Sequence, residues 1–204
     1  MATAFTNRER ELIRINLKKT AKESLGKYGV RRTTVDDLVD KVGISKGSFY
    51  NFYKQKEILF FEVLEDYQKS IIDQLVEKLK KEEDIGVDRF TILLYELFQN
   101  LRKSFLMNII EKQEIEYLLG KLPEELIKDH HFLDNLLMKK ILNYVNIKGD
   151  INVDLIASCL RAIAMNMVYI KEIGEENFDK TLEFLIRGIA IQIIEEGSSI
   201  GGGY

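Results

Sequence analysis

The chain has 204 residues, of which 46% are hydrophobic and 31% charged, and its formal net charge is −3. This composition supports a packed core, and the single Pro and 13 Gly argue against a collagen-like or turn-dense β protein. The sequence has no apolar run of about 18 residues and no apolar signal-peptide segment near its N-terminus, so we expect a cytoplasmic protein without a membrane partner. The lone Cys159 agrees with a reducing compartment.

The charge is unevenly distributed along the chain. Residues 1–60 contain 13 Lys and Arg against 7 Asp and Glu, a net charge of +6. Residues 61–204 contain 17 against 26, a net charge of −9. A basic head on an acidic body indicates a polyanionic partner for the head alone, although an uneven surface without functional meaning would give the same numbers.

Apolar residues recur at helical spacing almost throughout, and strict alternation is nowhere sustained. We therefore expect an all-α fold of about nine helices. Three helices are predicted in the head, over about Asn7–Tyr28, Val35–Val42 and Ser45–Phe52. Thr6 with Glu9, Thr34 and Ser45 are suitable N-terminal caps, and Gly29 and Gly43 are suitable stops.

The remaining helices are longer and are mostly separated by glycine or proline. They are predicted over about Gln55–Lys80, Arg89–Leu101, Phe105–Leu119, Pro123–Val145, Asn152–Ile173 and Asn177–Glu196. Gly120, Gly174 and Gly197 serve as stops. The expected organisation is a head of three helices at residues 1–54, a helical body at 55–197, and a flexible tail at 198–204.

The most informative stretch lies around the two short helices of the head. Two short helices joined by a tight turn at Gly43 are typical of a helix-turn-helix, whose second helix enters the major groove of DNA. The first residues of that helix are small or hydrogen-bonding, namely Ser45, Lys46, Gly47, Ser48, Tyr50 and Asn51. Hydroxyls of Thr33, Thr34 and Ser45 lie where phosphates can dock, and the Asn51 amide suits an adenine edge.

The segment GVRRTTVDDLVDKVGISKGSFYNFYKQKEIL, residues 29–59, resembles the DNA-binding head of the TetR family of bacterial regulators. The resemblance covers about residues 7–60. It implies phosphate contacts from Thr33, Thr34, Tyr50 and Lys56, and base or backbone readout by Lys46, Ser48 and Asn51. It also implies that Phe49 and Tyr53 anchor the recognition helix in the core.

The sequence departs from the common family pattern at three positions. Val39 and Val42 stand where alanines are usual, which adds volume inside the head. Phe52 stands where histidine is frequent, which removes a phosphate donor.

The last two helices combine broad apolar faces with small residues, a pattern that suits a dimeric four-helix bundle. The resemblance implies the same pairing, and a single short recognition helix reads too few base pairs for tight binding. We therefore expect a homodimer on a palindromic operator of double-stranded DNA. The candidate dimer residues are Leu160, Ile163, Met167, Leu182, Leu185, Ile189 and Ile193. The alternative is that these side chains fill the core of the protomer itself.

The helices between about residues 88 and 145 are rich in aromatic side chains. The resemblance implies that they enclose a pocket for a small effector, although an aromatic stripe at helical spacing is also typical of plain core. The candidate ligand residues are Tyr95, Phe98, Gln99, Phe105, Glu114, Tyr117 and Asn143. The acidic body slightly favours a neutral or cationic effector.

The sequence offers no catalytic residue, cofactor motif or metal site. His130 and His131 are adjacent and point in different directions on a helix, and zinc spacings, phosphate loops and nucleophile elbows are absent. The sequence thus predicts a ligand-responsive transcriptional repressor. The alternative is a DNA-bound scaffold or nucleoid-associated protein that acts through a protein partner, which a fully packed body would favour.

Overall fold

The computed structural model describes residues 5–196, and all regular structure in this range is helical. The eleven α-helices are α1 Asn7–Tyr28, α2 Val35–Val42, α3 Lys46–Tyr50, α4 Lys56–Leu79, α5 Val87–Arg102, α6 Leu106–Glu111, α7 Ile115–Leu119, α8 Glu124–Leu142, α9 Val153–Asn166, α10 Ile170–Ile173 and α11 Glu175–Ile191. A 3₁₀ turn spans Met167–Tyr169, and a π-helical turn spans Gln192–Glu196. The expected all-α fold is confirmed. The predicted stop at Gly197 and tail at 198–204 lie outside the described residues.

Local side-chain chemistry determines where α1 begins and ends. The Thr6 hydroxyl accepts from the Glu9 N–H at 3.3 Å, and the Glu9 carboxylate accepts from the Thr6 N–H at 2.7 Å. The hydrogen bond from the Thr6 backbone lowers the pKa of Glu9. Gly29 ends the helix with φ 85°, and its N–H donates to the Leu25 carbonyl at 3.0 Å. The predicted capping box and glycine stop are therefore confirmed.

Two predicted helices are interrupted, so their predicted continuity was wrong. The segment predicted as one helix over Phe105–Leu119 forms α6 and α7, because Gln113 adopts φ 54° between them. The N–H of Glu114 then donates to the Ile109 carbonyl at 3.0 Å, which closes α6. The segment over Asn152–Ile173 is interrupted by the 3₁₀ turn, and α11 begins at Glu175 after Gly174 rather than with Asn177 as its cap.

Within the described range, the first of two compact units comprises residues 5–67 and 104–124. Its core includes residues of helices α6 and α7, which were predicted to belong to the body. The buried members of this core are Leu17, Ala21, Leu25, Val30, Leu38, Val39, Phe49, Tyr53, Leu59, Phe60, Val63, Ile109 and Leu118. The helix-turn-helix is thus built on a larger apolar core than its own three helices supply.

Within the described range, the second unit comprises residues 68–103 and 125–196, and α5 packs against α11 at its centre. Buried side chains on α5 include Phe90, Leu94 and Phe98, and those on α11 include Leu182 and Ile186. Ion pairs between Arg102 and Asp179 and between Arg187 and Asp88 join the same two helices at the surface. Exposed pairs of this kind contribute little, so apolar burial holds the helices together. Within the described part of the chain, no helix is both long and apolar enough to cross a bilayer.

Candidate nucleic-acid interface

A tight turn at Gly43 joins α2 to α3. Gly43 lies in the left-handed region, with φ 76° and ψ 36°, and its N–H donates to the Val39 carbonyl at 2.8 Å. The N–H of Ile44 donates to the same carbonyl at 3.1 Å, which completes the end of α2. Glycine enters this region at little cost, so the residue type determines where the turn occurs. The two helices therefore have the connection of a helix-turn-helix.

The N-terminal end of α3 is capped and open to solvent. The Ser45 hydroxyl accepts from the Ser48 N–H at 3.0 Å and lies 2.9 Å from the Ser48 hydroxyl. Of the predicted DNA-contact residues here, Ser48 is half-buried. The other five are exposed, namely Ser45, Lys46, Gly47, Tyr50 and Asn51. A methyl group at Gly47 would meet only the Ser45 hydroxyl, at 3.9 Å. The start of this helix can therefore approach another molecule closely.

Aromatic side chains fix α3 to the core of the first unit. Phe49 is fully buried, Tyr53 is nearly so, and their ring centroids are 6.0 Å apart. Burial raises the pKa of Tyr53, which keeps its hydroxyl neutral. Phe49 and Tyr53 therefore occupy the core, and the intervening Tyr50 is turned outward.

Thr34 caps α2 and is exposed. Its hydroxyl donates to an Asp37 carboxylate oxygen at 2.6 Å and accepts from the Asp37 N–H at 3.1 Å. The hydrogen bond from the Thr34 side chain is the main reason that the pKa of Asp37 is lowered. Thr34 is accessible to a phosphate, but its hydroxyl already has two partners within the cap.

Two predicted phosphate contacts are turned toward the protein. Thr33 is only 1% exposed, and its hydroxyl donates to the Gly29 carbonyl at 2.7 Å. Its predicted phosphate contact does not fit this conformation, because the whole residue is buried. The Lys56 ammonium donates to the carbonyls of Val30 at 2.9 Å and Thr33 at 2.6 Å. Lys56 therefore holds the loop between α1 and α2, and one of its three N–H donors has no partner in that loop.

Lys46 and Asp36 form an exposed pair across the two helices of the motif. Their nitrogen and oxygen atoms are 3.0 Å apart, and the hydrogen bond to Asp36 raises the pKa of Lys46. Lys46 keeps its charge at neutral pH, and the pair is exposed enough to exchange partners with a phosphate.

Arg10 and Arg14 of α1 form a basic surface beside Phe52, which sequence reasoning missed. The Arg10 guanidinium lies 5.1 Å from the centroid of the Phe52 ring, and Phe5 packs beside it at 6.3 Å. Arg10 and Arg14 line a cleft of about 500 Å³ between α1 and Phe52. Their spacing of four residues could have indicated one basic face of α1, although nothing in the sequence places Phe52 against it.

The loop that follows α1 is held by a buried carboxylate. Glu114 is 5% exposed and accepts from the Val30 N–H at 2.5 Å and the Arg31 N–H at 3.3 Å. The Asn108 amide donates to the Leu25 carbonyl at 2.9 Å, and the Arg31 guanidinium stacks 4.6 Å from the centroid of the Tyr117 ring. Residues 104–124 therefore fix the loop that leads into Thr34 and α2.

Replacing Glu114 with glutamine is expected to lower the free energy of unfolding by about 2 kcal/mol, because the single amide oxygen can accept from only one of the Val30 and Arg31 N–H groups and the amide nitrogen then faces the other donor. Urea unfolding followed by circular dichroism measures this, and the amide proton signal of Val30 should shift as its acceptor weakens. The matched control is Glu116→Gln on the exposed face of α7, which should change stability by less than about 0.5 kcal/mol. Equal effects of the two substitutions would show that the Glu114 contact contributes nothing.

The seven candidate ligand residues do not gather in one unit. Phe105, Glu114 and Tyr117 belong to the first unit, whereas Tyr95, Phe98, Gln99 and Asn143 belong to the second. Phe98 is buried, Asn143 is exposed, and the Gln99 amide donates to the Tyr95 hydroxyl at 2.7 Å and to Asp179 at 3.1 Å. The Glu114 carboxylate already accepts hydrogen bonds from the loop after α1.

The candidate dimer residues are mostly turned inward. Ile163, Met167, Leu182 and Ile193 are buried, Leu160 and Ile189 are half-buried, and only Leu185 is exposed. A different set of small and apolar side chains faces solvent on the same helices and the adjoining turn, and we call it the exposed stripe: Leu155, Ser158, Ala162, Met165, Tyr169, Thr181, Phe184, Leu185 and Gly188. Members of the stripe recur every three or four residues along each helix. Most of them lie one or two positions away from a candidate dimer residue, so the same spacing is present in the sequence.

Among residues 5–196, no three His, Cys, Asp or Glu side chains are grouped closely enough to hold a metal ion. Cys159 is half-buried on α9 as a free thiol.

Comparison with known proteins agrees with the geometry of the head. Residues 17–63 match the family model described as bacterial regulatory proteins of the tetR family. This match spans α2, α3 and the turn between them, together with the flanking parts of α1 and α4. No curated protein matches the chain in sequence.

Solved structures resemble the chain over nearly its whole length. RolR in complex with resorcinol is 18% identical, with a TM-score of 0.60 over 94% of this chain and 99% of that one. A TetR transcriptional regulator from Rhodococcus sp. RHA1 is 12% identical, with a TM-score of 0.60 over 90% and 98%. The transcriptional regulator FadR from Bacillus subtilis, in complex with stearoyl-CoA, is 15% identical, with a TM-score of 0.52 over 89% and 97%. At these identities the likeness concerns the fold.

Proposed function

Because this chain is a member of the TetR family of DNA-binding transcriptional regulators, we propose that it is a homodimeric repressor that a small effector releases from a palindromic operator. The exposed, capped start of α3 is the observation that carries the proposal. Lys46, Gly47 and Asn51 lie on one accessible surface there, while Phe49 holds the helix in the core. A rigidly seated helix with a hydrogen-bonding exposed face is what reading of the major groove requires.

Pairing of two chains is supported by the exposed stripe of α9 and α11. Phe184 is 78% exposed, which is unusual for so large an apolar side chain, and Leu185 and Met165 lie on the same stripe. A methyl group at Gly188 would meet nothing within 4 Å, so a second helix has room to approach there. Self-association through this stripe buries it and brings two recognition helices onto one duplex.

Control by a small molecule is supported by relatives of the same fold. The RolR structure contains resorcinol, and the FadR structure contains stearoyl-CoA. For this chain we propose that an effector binds the second unit and favours a conformation with lower DNA affinity. The effector must bind the DNA-free conformation more tightly, because equal affinity for both would shift no equilibrium.

Selection of duplexes from a random DNA pool by the purified protein tests the proposal. We expect enrichment of an inverted repeat whose half-sites are about one helical turn apart, roughly 34–36 Å. Enrichment of unrelated sequences, or of none, would contradict the operator model and favour the scaffold alternative.

Replacing Asn51 with alanine is expected to cost about 1–3 kcal/mol in operator binding and to relax preference at one base position, because its exposed amide can pair with an adenine edge. Repeating the selection with the variant measures both effects. The control is Lys54→Ala, which removes an exposed cation from the following turn and should weaken all sequences alike. An unchanged base preference in Asn51→Ala would show that other residues read the operator.

A further inference from the structure

Three helices of the second unit meet at a buried carboxylate. Asp134 of α8 has a side chain that is only 9% exposed. One of its oxygens accepts from the Gln68 amide of α4 at 2.7 Å. The other accepts from two guanidinium nitrogens of Arg161 in α9, at 2.9 Å and 2.6 Å. His130 lies one turn before Asp134, with its Nε2 3.7 Å from the first oxygen.

The amide oxygen of Gln68 is buried and has no hydrogen-bond donor among the described residues. Its orientation is fixed, because the carboxylate of Asp134 only accepts and must face the amide nitrogen of Gln68. Rotating the amide would place two acceptors against each other. Buried polar atoms without partners are rare in folded proteins, so an incoming donor is expected at this oxygen.

The charges around this oxygen are already balanced. Arg161 neutralises Asp134, so a charged ligand group buried here would lack a counterion. The side chains of His130 and Arg161 are 25% and 32% exposed, which gives the cluster a side that reaches solvent. Apolar residues lie one turn away on the same three helices: Ile72, Leu137, Met138, Ala157 and Ala164. One polar anchor in apolar surroundings is typical of small-molecule sites.

We propose that Gln68 anchors the effector, and that the effector is an uncharged small molecule with an apolar skeleton and a hydroxyl or N–H donor. The proposal rests on the ligand-responsive function proposed above and specifies its ligand class. The Gln68 oxygen accepts the donor of the effector, while Asp134 and Arg161 hold the Gln68 amide in place. None of the seven ligand residues predicted from sequence belongs to this cluster.

A set of probes with one skeleton tests the ligand class. Cyclohexanol carries the donor, cyclohexanone offers only an acceptor, and cyclohexylammonium and cyclohexanecarboxylate carry charges. Binding to the full chain is measured by titration, with the side-chain amide signals of Gln68 as the local readout in NMR. We expect cyclohexanol to shift these signals and to bind about ten-fold more tightly than cyclohexanone, a difference of about 1.4 kcal/mol. The two charged probes should bind more weakly than cyclohexanol.

Variants show whether the binding depends on Gln68. Gln68→Leu should reduce cyclohexanol binding about ten-fold. The matched control Gln74→Leu removes an exposed amide from the same helix and should leave binding unchanged. Gln68→Glu is a second test, because its carboxylate would face Asp134 if it kept the side-chain position and should also weaken binding.

Three outcomes would overturn the inference. These are equal affinities for cyclohexanol and cyclohexanone, full binding by Gln68→Leu, and Gln68 signals that respond to no probe, as expected if an ordered water alone satisfies the oxygen. Selection of an operator is measured in a separate experiment without any probe. A chain that selects an operator but fails the probe test refutes only this inference, whereas a chain that binds cyclohexanol at Gln68 but selects no operator refutes only the proposed function.

Discussion

Alanine in place of Gly29 is expected to lower the free energy of unfolding by about 2–6 kcal/mol. Gly29 has φ 85° and ψ −175°, a conformation that residues with a side chain adopt at a cost of about 1–3 kcal/mol. The added methyl group would also overlap a carboxylate oxygen of Glu114 and lie 3.1 Å from its Cδ. Displacing that buried acceptor from the Val30 and Arg31 N–H groups adds about 1–3 kcal/mol. Urea unfolding followed by circular dichroism measures the change.

Gly43→Ala is the matched control for this prediction. Gly43 also has positive φ, at 76°, but a methyl group there would meet nothing within 4 Å. Its replacement should therefore cost only the backbone strain, about 1–2 kcal/mol. In a Glu114→Ala background the cost of Gly29→Ala should fall toward its backbone strain alone, because the collision is removed. Equal costs of Gly29→Ala and Gly43→Ala in the natural background would mean that Glu114 moves aside freely.

Aspartate in place of Phe184 is expected to yield a monomer and to weaken operator binding by about 100-fold or more. In the proposed dimer the stripe is buried, and placing a carboxylate among its apolar side chains costs desolvation of the charge. Loss of pairing leaves each head to bind alone, without the gain in affinity that two linked heads provide. Sedimentation velocity measures the mass of the particle, and fluorescence anisotropy with labelled operator measures binding.

The stability of the single chain should barely change in Phe184→Asp, because the side chain is already exposed. Ile92→Asp is the matched control, since Ile92 is an exposed apolar residue of α5 outside the stripe. It should leave both the mass of the particle and operator binding unchanged. A dimer that persists in Phe184→Asp would place the interface on another surface.

Sequence reasoning located those features whose causes are local. The cap at Thr6 and the turns at Gly29 and Gly43 each depend on residues within a few positions, so their types identify them. The break at Gln113 was missed because glutamine seldom adopts a left-handed conformation and gives no signal of it.

Features that depend on distant residues were not predictable in this way. Glu114 meets Val30 across 84 positions, so helices α6 and α7 could not be assigned to the unit of the helix-turn-helix from spacing alone. The same holds for Gln68 and Asp134, which are 66 positions apart. On α9 and α11 helical structure was predicted, but the face open to solvent depends on a rotation of about 100° per residue.

The lysine contacts of the first unit bear on how strongly ionic strength affects DNA binding. Lys18 is paired with Glu62 and Asp66, and Lys46 with Asp36. When a lysine leaves its carboxylate partner to bind a phosphate, the carboxylate takes up a cation from solution. This uptake offsets the release of a cation from the DNA, so fewer counterions are released overall. Each phosphate neutralised without such an exchange contributes about 0.9 to the slope of log K against log salt concentration. The slope should therefore be shallower than the 13 Lys and Arg of residues 1–60 suggest.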